Sequence, residues 1–211
     1  MAKKVITFGE IMLRLAPEGY YRFVQANSFG ATYGGGEANV AVSLANYGMD
    51  AAFVTKLPKH EIGQAAVNEL RKYGVDTKDI ARGGDRVGIY FLEKGASQRP
   101  SKVIYDRAHS AISELPRRTS TGQRSLKRRL VPLHRHHPGP QRHRCRYLLR
   151  GLQKAKELGL TVSCDLNYRN KLWSKAKAGE VMGELCKYVD VCIANEEDAS
   201  DVFGIKLPIL T

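Results

Sequence analysis

Residues 34–48 read Gly-Gly-Gly-Glu-Ala-Asn-Val-Ala-Val-Ser-Leu-Ala-Asn-Tyr-Gly, a glycine run that enters a helix of small side chains. Gly34, Gly35 and Gly36 leave backbone N–H groups free to approach a polar ligand. Ala38, Ala41, Val42 and Ala45 recur at helical spacing, so this helix can pack closely on a sheet. Asn39 lies one turn in, where its amide could face whatever the glycines hold. A tight turn before a core helix explains the same residues without any ligand, so the rest of the chain has to decide between the two.

The flanking sequence alternates strand and helix. Val5-Ile6-Thr7-Phe8-Gly9 is a buried-strand pattern with Glu10 just past its end. Ala51 to Thr55 is a second apolar strand, and Ile62, Ala65, Ala66, Glu69, Leu70 and Tyr73 form a helical stripe stopped by Gly74. Leu152–Leu158 reads as a helix ending at Gly159. Leu160–Asn167 reads as a strand, Lys175–Lys187 as a helix and Val189–Asn195 as another strand. This grammar predicts an α/β domain with a mostly parallel sheet. Ligands of such sheets bind beyond the carboxyl ends of the strands, and three of those ends are polar: Glu10, Asp165-Asn167-Arg169, and Asn195–Asp198. Arg86–Glu93 and Lys102–Arg107 differ, being β-branched and Tyr-rich around Lys94-Gly95-Ala96-Ser97. They are expected to form antiparallel strands and, with Tyr20–Ala26, a small sheet serving as a lid.

Charge is concentrated in one place. The chain of 211 residues has a formal net charge of +13. Residues 115–150 hold ten Arg and one Lys with no Asp or Glu, leaving 34 − 11 = 23 basic against 21 acidic side chains elsewhere. The body of the protein is therefore nearly neutral. No apolar run approaches the roughly 20 residues that span a bilayer. The start runs straight into a strand rather than a signal peptide, and the cysteines (Cys145, Cys164, Cys186, Cys192) show no paired spacing, so a reduced, cytoplasmic protein is expected.

Taken together, Phe8–Leu15, Gly34–Gly48, Tyr90, Tyr105-Asp106-Arg107, Asp165–Arg169 with Leu172-Trp173, and Ala194–Asp198 resemble the ribokinase-type (PfkB) carbohydrate kinases, in particular the branch acting on 2-keto-3-deoxygluconate. The resemblance covers residues 3–114 and about 152–206. It implies a ribokinase-like α/β parallel-sheet sandwich with a small antiparallel β lid, incomplete at the C-terminus. The lid would come from segments about 14–35 and 86–107. It also implies ATP and Mg²⁺ as cofactors, a small sugar acid as the partner, and a homo-oligomer formed through the lid. By the same resemblance, Gly34, Gly35 and Asn39 would hold sugar hydroxyls, with Tyr90, Tyr105 and Arg107 coming from the lid. Arg107 and Arg169 suit a carboxylate because a guanidinium fork pairs with it bidentately. Asn167 and Asn195 would meet the nucleotide phosphates. Asp198 and Glu197 would organise Mg²⁺ through water, although acidic residues also simply favour a helix N-terminus.

The family's later Gly-Ala-Gly-Asp stretch supplies an anion hole and the base that deprotonates the attacking hydroxyl. No Gly-x-Gly-Asp occurs in this sequence; Gly83-Gly84-Asp85 lies before the lid strand, in the wrong place. The expectation is a partial domain, lacking the nucleotide-binding third and the catalytic base, with little or no turnover on its own.

The basic segment 115–150 admits three readings. A genuine Arg-rich arm would bind nucleic acid, making the chain a nucleic-acid-binding protein, but with Tyr147 as its one aromatic it offers no stacking platform. His134, His136, His137, His143 and Cys145 fit no standard zinc spacing. The third reading is translation out of frame. His134–Pro140, written as CAC CGG CAT CAC CCC GGC CCT and shifted by one base, becomes Thr-Gly-Ile-Thr-Pro-Ala-Leu, a strand-and-turn sequence of the kind related kinases carry there. Uncompensated cations and four prolines resist burial, so a poorly packed segment beside an unpaired strand edge is expected. A non-catalytic sugar-acid binder is a further alternative.

Overall fold

The computed structural model describes residues 4–114, 131–133, 141–168 and 173–206, with backbone alone at 131–133 and 141–147. Its strands are β1 (Val5–Phe8), β2 (Met12–Pro17), β3 (Phe29–Gly34), β4 (Ala51–Val54), β5 (Lys56–Leu57), β6 (Ala81–Arg82), β7 (Ile89–Glu93), β8 (Lys102–Asp106), β9 (Val131–Leu133), β10 (Val162–Asp165) and β11 (Val191–Ile193). The α-helices among the described residues are α1 (Gly36–Asn46), α2 (Glu61–Lys72), α3 (Gln141–Glu157), α4 (Lys175–Cys186) and α5 (Glu196–Phe203).

The main sheet has the order β11-β10-β9-β1-β4, with every pairing parallel. The expected α/β alternation is therefore realised, with all strand carboxyl ends on one edge. Two cores flank it. One joins Ile11, Ala38, Ala41 and Phe53 to Leu57, Val67 and Leu70 of α2 and its approach. The other joins Leu152, Ala155, Val162, Cys164, Ala178, Met182, Leu185 and Val202. The small residues of α1 thus do what their spacing implied, since Ala38 and Ala41 are buried in the first core.

The helix ends follow local chemistry. The His60 ring accepts the Gly63 N–H at the start of α2, while Arg71 and Lys72 lie in its last turn, where cations suit the helix dipole. Ser174 accepts the Lys177 N–H at the start of α4. Gly204, at φ +69°, ends α5 in the left-handed region that favours glycine.

A second sheet has the order β3-β2-β7-β8. Its outer pairings are antiparallel, while β2 and β7 run parallel. Its composition differs from the expectation in one respect. Tyr20–Ala26 adds no strand; Phe23–Gln25 is a short 3₁₀ turn whose Phe23 ring meets Phe91 edge-on. Its place is taken by β2 and β3, because the residues after Gly9 and before Gly35 extend in register, Met12 opposite Gly34 through Pro17 opposite Phe29.

The basic segment also departs from expectation where it is described. β9 lies between β1 and β10, Phe8 opposite Leu133 and Val162 opposite Val131, so no strand edge is left open at that position. Pro132 has no N–H to give to that ladder. Helix α3 starts at Gln141, eleven residues before the Leu152 start read from its apolar stripe, because Gln141 to Gly151 carry more Arg and His than such a stripe shows.

Candidate functional site

Three local events bring the predicted residues together. β1 ends at Phe8, and the turn through Gly9 sets Glu10 against the base of the second sheet. A side chain on Gly9 would collide with Glu37, which fills that space from the first turn of α1. A Cβ on Gly35 would lie 2.0 Å from the Glu10 carbonyl oxygen, and one on Gly88 would lie 2.3 Å from Glu10 Oε1. Close approach rather than backbone strain therefore favours glycine at three points, against the Glu37 side chain at Gly9, the Glu10 backbone at Gly35 and the Glu10 carboxylate at Gly88.

Glu10 is 4% exposed and reaches Arg107. Arg107 Nη2 donates to Glu10 Oε2 at 2.5 Å and Nε donates to the same oxygen at 3.1 Å. Oε1 of Glu10 is buried with no hydrogen-bond partner among the described residues. The Arg107 guanidinium also sits 5.6 Å over the Tyr105 ring. Glu10 therefore takes the side-on edge of the guanidinium, and among the described residues nothing is bonded across the end-on edge formed by Nη1 and Nη2, which fits a second anion. Sequence reading found Arg107 but not its partner. The signal for Glu10 was only its position past a strand end, and the pairing spans 97 residues.

The other residues close around the same spot. A Cβ on Gly34 would lie 3.6 Å from both Asn39 Oδ1 and Tyr90 Oη. Asn39 Oδ1 faces the Gly35 N–H at 3.5 Å, too long to hold it firmly. Tyr90 and Tyr105 are cross-strand partners with ring centroids 6.0 Å apart. Tyr90 is half-buried, whereas Asn39 and Tyr105 are exposed. Gly34, Gly35, Asn39, Tyr90, Tyr105 and Arg107 thus surround one polar opening between the second sheet and the edge of the main sheet. Arg169 lies outside the described residues.

Asn167 and Asn195 lie elsewhere on that edge. They follow β10 and β11, whose register sets Asp165 opposite Ile193. With strands about 4.8 Å apart, β10 lies roughly 10 Å from β1 along the edge, and β11 roughly 14 Å. Asn167 adopts φ +35° and its N–H donates to Asp165 Oδ1 at 3.1 Å. Asn195 caps α5, its Oδ1 accepting the Asp198 N–H at 2.6 Å. That oxygen is committed to the helix, and Asp198 is 9% exposed while Glu197 is exposed. Successive helical residues diverge by about 100°. Asn195, Glu197 and Asp198 therefore do not converge as the direct shell of a metal ion.

Comparison with known proteins agrees with this fold. A family model described as pfkB family carbohydrate kinase matches residues 2–210. The 2-dehydro-3-deoxygalactonokinase of Haloferax volcanii is 35% identical over 207 residues, 97% of this chain and 64% of that protein. The crystal structure of 2-dehydro-3-deoxygluconokinase from Thermotoga maritima superposes with a TM-score of 0.89 at 52% identity, covering 99% of this chain and 64% of the other. A PfkB family carbohydrate kinase from Listeria grayi superposes with a TM-score of 0.90 at 32% identity, covering 99% and 65%. The chain thus spans a little under two thirds of the length of these relatives.

Proposed function

The chain belongs to the pfkB family of carbohydrate kinases, and on that premise we propose that its polar opening is the acceptor side of an ATP-dependent sugar-acid kinase, with 2-keto-3-deoxygluconate as acceptor. The observation that carries this reading is the end-on edge of Arg107, held at the opening by Glu10 beside Gly34, Asn39, Tyr90 and Tyr105. A guanidinium edge fits a planar carboxylate, while amide, phenol and backbone groups fit hydroxyls. The 52% identity to the Thermotoga maritima 2-dehydro-3-deoxygluconokinase supports the gluco acid, and the 35% identity to the galactonokinase makes its epimer the nearest competitor.

ATP would lie along the ends of β10 and β11, with Asn167 and the side-chain N–H groups of Asn195 toward its phosphates. The first turn of α5 carries Glu196, Glu197 and Asp198, which repel a bare phosphate and suit a hydrated cation such as Mg²⁺ travelling with the nucleotide. The 211 residues contain no Gly-x-Gly-Asp. By themselves they are expected to bind the acid and turn it over little, since the base and anion hole supply most of the acceleration in phosphoryl transfer. A homo-oligomer would form through the edge strand β8, where Val103, Ile104 and Tyr105 are exposed; light scattering checks its mass.

The test is calorimetric titration of the 211-residue chain with 2-keto-3-deoxygluconate, its galacto epimer and fructose, alongside a coupled assay for ADP release. Preferred binding of the gluco acid with ADP release at background supports the reading. Preference for fructose overturns the substrate, and a normal kinase rate overturns the inactivity.

A further inference from the structure

The β11 end of the main sheet gathers three of the four cysteines. Directly opposed residues of neighbouring strands share a face, and Cys164 on β10 pairs with Cys192 on β11. Cys164 is buried in the second core together with Val162 and Leu166, so Cys192 lies on the core-facing side of β11. Cys186 ends α4 and packs against that same core. The three thiols thus share one layer, where β11 meets the end of α4.

Only residues 187–191 separate Cys186 from Cys192, and that turn is pinned along its length. Tyr188 N–H donates to the Leu185 carbonyl, and Val189 N–H to the Cys186 carbonyl. Asp190 N–H donates to the Val162 carbonyl, while its carboxylate accepts the Val162 N–H and pairs with Lys156. The Cys186 and Cys192 side chains share a hydrogen bond, so the two sulfurs already face each other.

The three differ in access. Cys164 is sealed in the core, and its Sγ donates to the Asp165 carbonyl at 3.6 Å. Cys186 is half-buried and Cys192 is exposed. Burial first, then the charge and hydrogen bond of Cys192, push the Cys186 thiol up to about 11, which makes it a poor first nucleophile at neutral pH. Cys192 is therefore the sulfur that a reagent in solution reaches. Among the described residues no third ligand completes a metal set around the pair.

We infer that Cys186 and Cys192 form a dithiol redox site, which closes to an intrachain disulfide by exchange with a low-molecular-weight disulfide of the glutathione class. The Cys192 thiolate attacks one sulfur of that disulfide, whose S–S bond breaks with release of one small thiolate. Capping Cys192 removes its charge and hydrogen bond from Cys186, leaving burial as the barrier to ionisation there. The Cys186 thiolate then attacks Cys192 Sγ, and the second small thiolate leaves. The two protein thiols lose two electrons and two protons. The small disulfide gains both and ends as two thiols. The site lies three residues before Asn195, away from the Glu10–Arg107 pair, and does not rest on the sugar-acid reading of the opening.

Peptide mass mapping of the folded 211-residue chain after incubation with excess oxidised glutathione tests it. Acid quenching, alkylation of the remaining thiols and trypsin follow, and cleavage after Lys187 puts the two cysteines on separate peptides. The expected product is those two peptides joined, lighter than their sum by two hydrogens and free of glutathione. Cys186→Ser is expected to stop at glutathione held on Cys192. Cys192→Ser is expected to leave Cys186 at least about tenfold slower to take up glutathione than Cys192 is in the unaltered chain; equal uptake would overturn the order of attack. Cys164→Ser is expected to leave the joined product unchanged. The inference fails if the unaltered chain keeps glutathione on Cys192, joins Cys164 to Cys192, or leaves Cys186 and Cys192 unmodified. None of these results bears on acid binding at the opening, which calorimetry reads separately.

Discussion

The two edges of the main sheet meet solvent in opposite ways. β4 is buried at all four of its residues, whereas β11 is exposed at all three. Both are edge strands of apolar composition, so sequence does not separate them. The difference lies in the segment after each strand. Asp76 N–H donates to the Ala51 carbonyl and Phe53 N–H to the Asp76 carbonyl, and Ala81 N–H donates to the Thr55 carbonyl, so residues 76–81 complete the outer side of β4. Lys4 then clamps Asp76 at 2.5 Å. β11 is tied on its inner side to β10 and through the Leu166 N–H to the Ile193 carbonyl, while Val191 and Ile193 are 49% and 58% exposed. An edge becomes core when backbone pairing and side-chain cover arrive together.

The sharpest way to break this comparison is truncation on each edge. Phe53→Ala on β4 is expected to cost about 3–5 kcal/mol in urea unfolding, and Ile193→Ala on β11 well under about 1 kcal/mol. Equal losses would sink the contrast. Next in size, Glu10→Ala at the neighbouring strand end leaves Arg107 buried without its carboxylate, costing about 3–5 kcal/mol at the upper end and less if water enters.

A smaller effect separates the clamp on β4 by pH. Burial alone would raise the Asp76 carboxyl, but the hydrogen bond from Lys4, the Lys78 N–H and both lysine charges bring it below its ordinary value. A lowered folded value means stability that is full above the unfolded carboxylate range and lost as pH falls through the folded value. Asp76→Asn, at about 1 kcal/mol, is expected to flatten that acid limb of a denaturation-versus-pH series. No change in the limb would remove Asp76 from the account of β4.

The smallest readout distinguishes β10 from β11 through paired cysteines. Cys164 and Cys192 are register partners, yet Cys164 is buried and Cys192 exposed. Burial, with Cys186, Cys192 and Asp165 nearby, pushes the Cys164 thiol up to about 12. A thiol reagent at neutral pH is expected to label Cys192 in the folded chain and Cys164 only on unfolding, read by peptide mass. Because the Cys164 value is raised, stability holds below the unfolded thiol value and declines as pH climbs from there toward about 12. Labelling of both at equal rates would mean that β10 is as open as β11.

Much of the architecture was readable from local pattern. Val5–Phe8 and Ala51–Val54 are short, largely apolar runs, Val162–Asp165 alternates apolar and polar residues, and α2 carries its stripe and both end signals, so these depended on nothing distant. The second sheet was half readable: β7 and β8 announced themselves by Tyr and β-branched residues, whereas β2 and β3 did not alternate clearly enough to displace Tyr20–Ala26. At the site, Gly34, Asn39, Tyr90, Tyr105 and Arg107 were named through the family resemblance, and Glu10 as a polar strand end. The pairing of Glu10 with Arg107 could not be read, because a carboxylate past a strand end looks the same whether it faces solvent or an arginine 97 residues away.

The sequence by itself determined the succession of strands and helices and the confinement of excess charge to 115–150, since each is a property of neighbouring residues. Only the tertiary structure decided that Glu10 holds Arg107 across 97 positions and that β9 lies between β1 and β10. Those depend on register and close approach between distant segments, where one residue of slip would reverse the face on which every side chain of a strand falls.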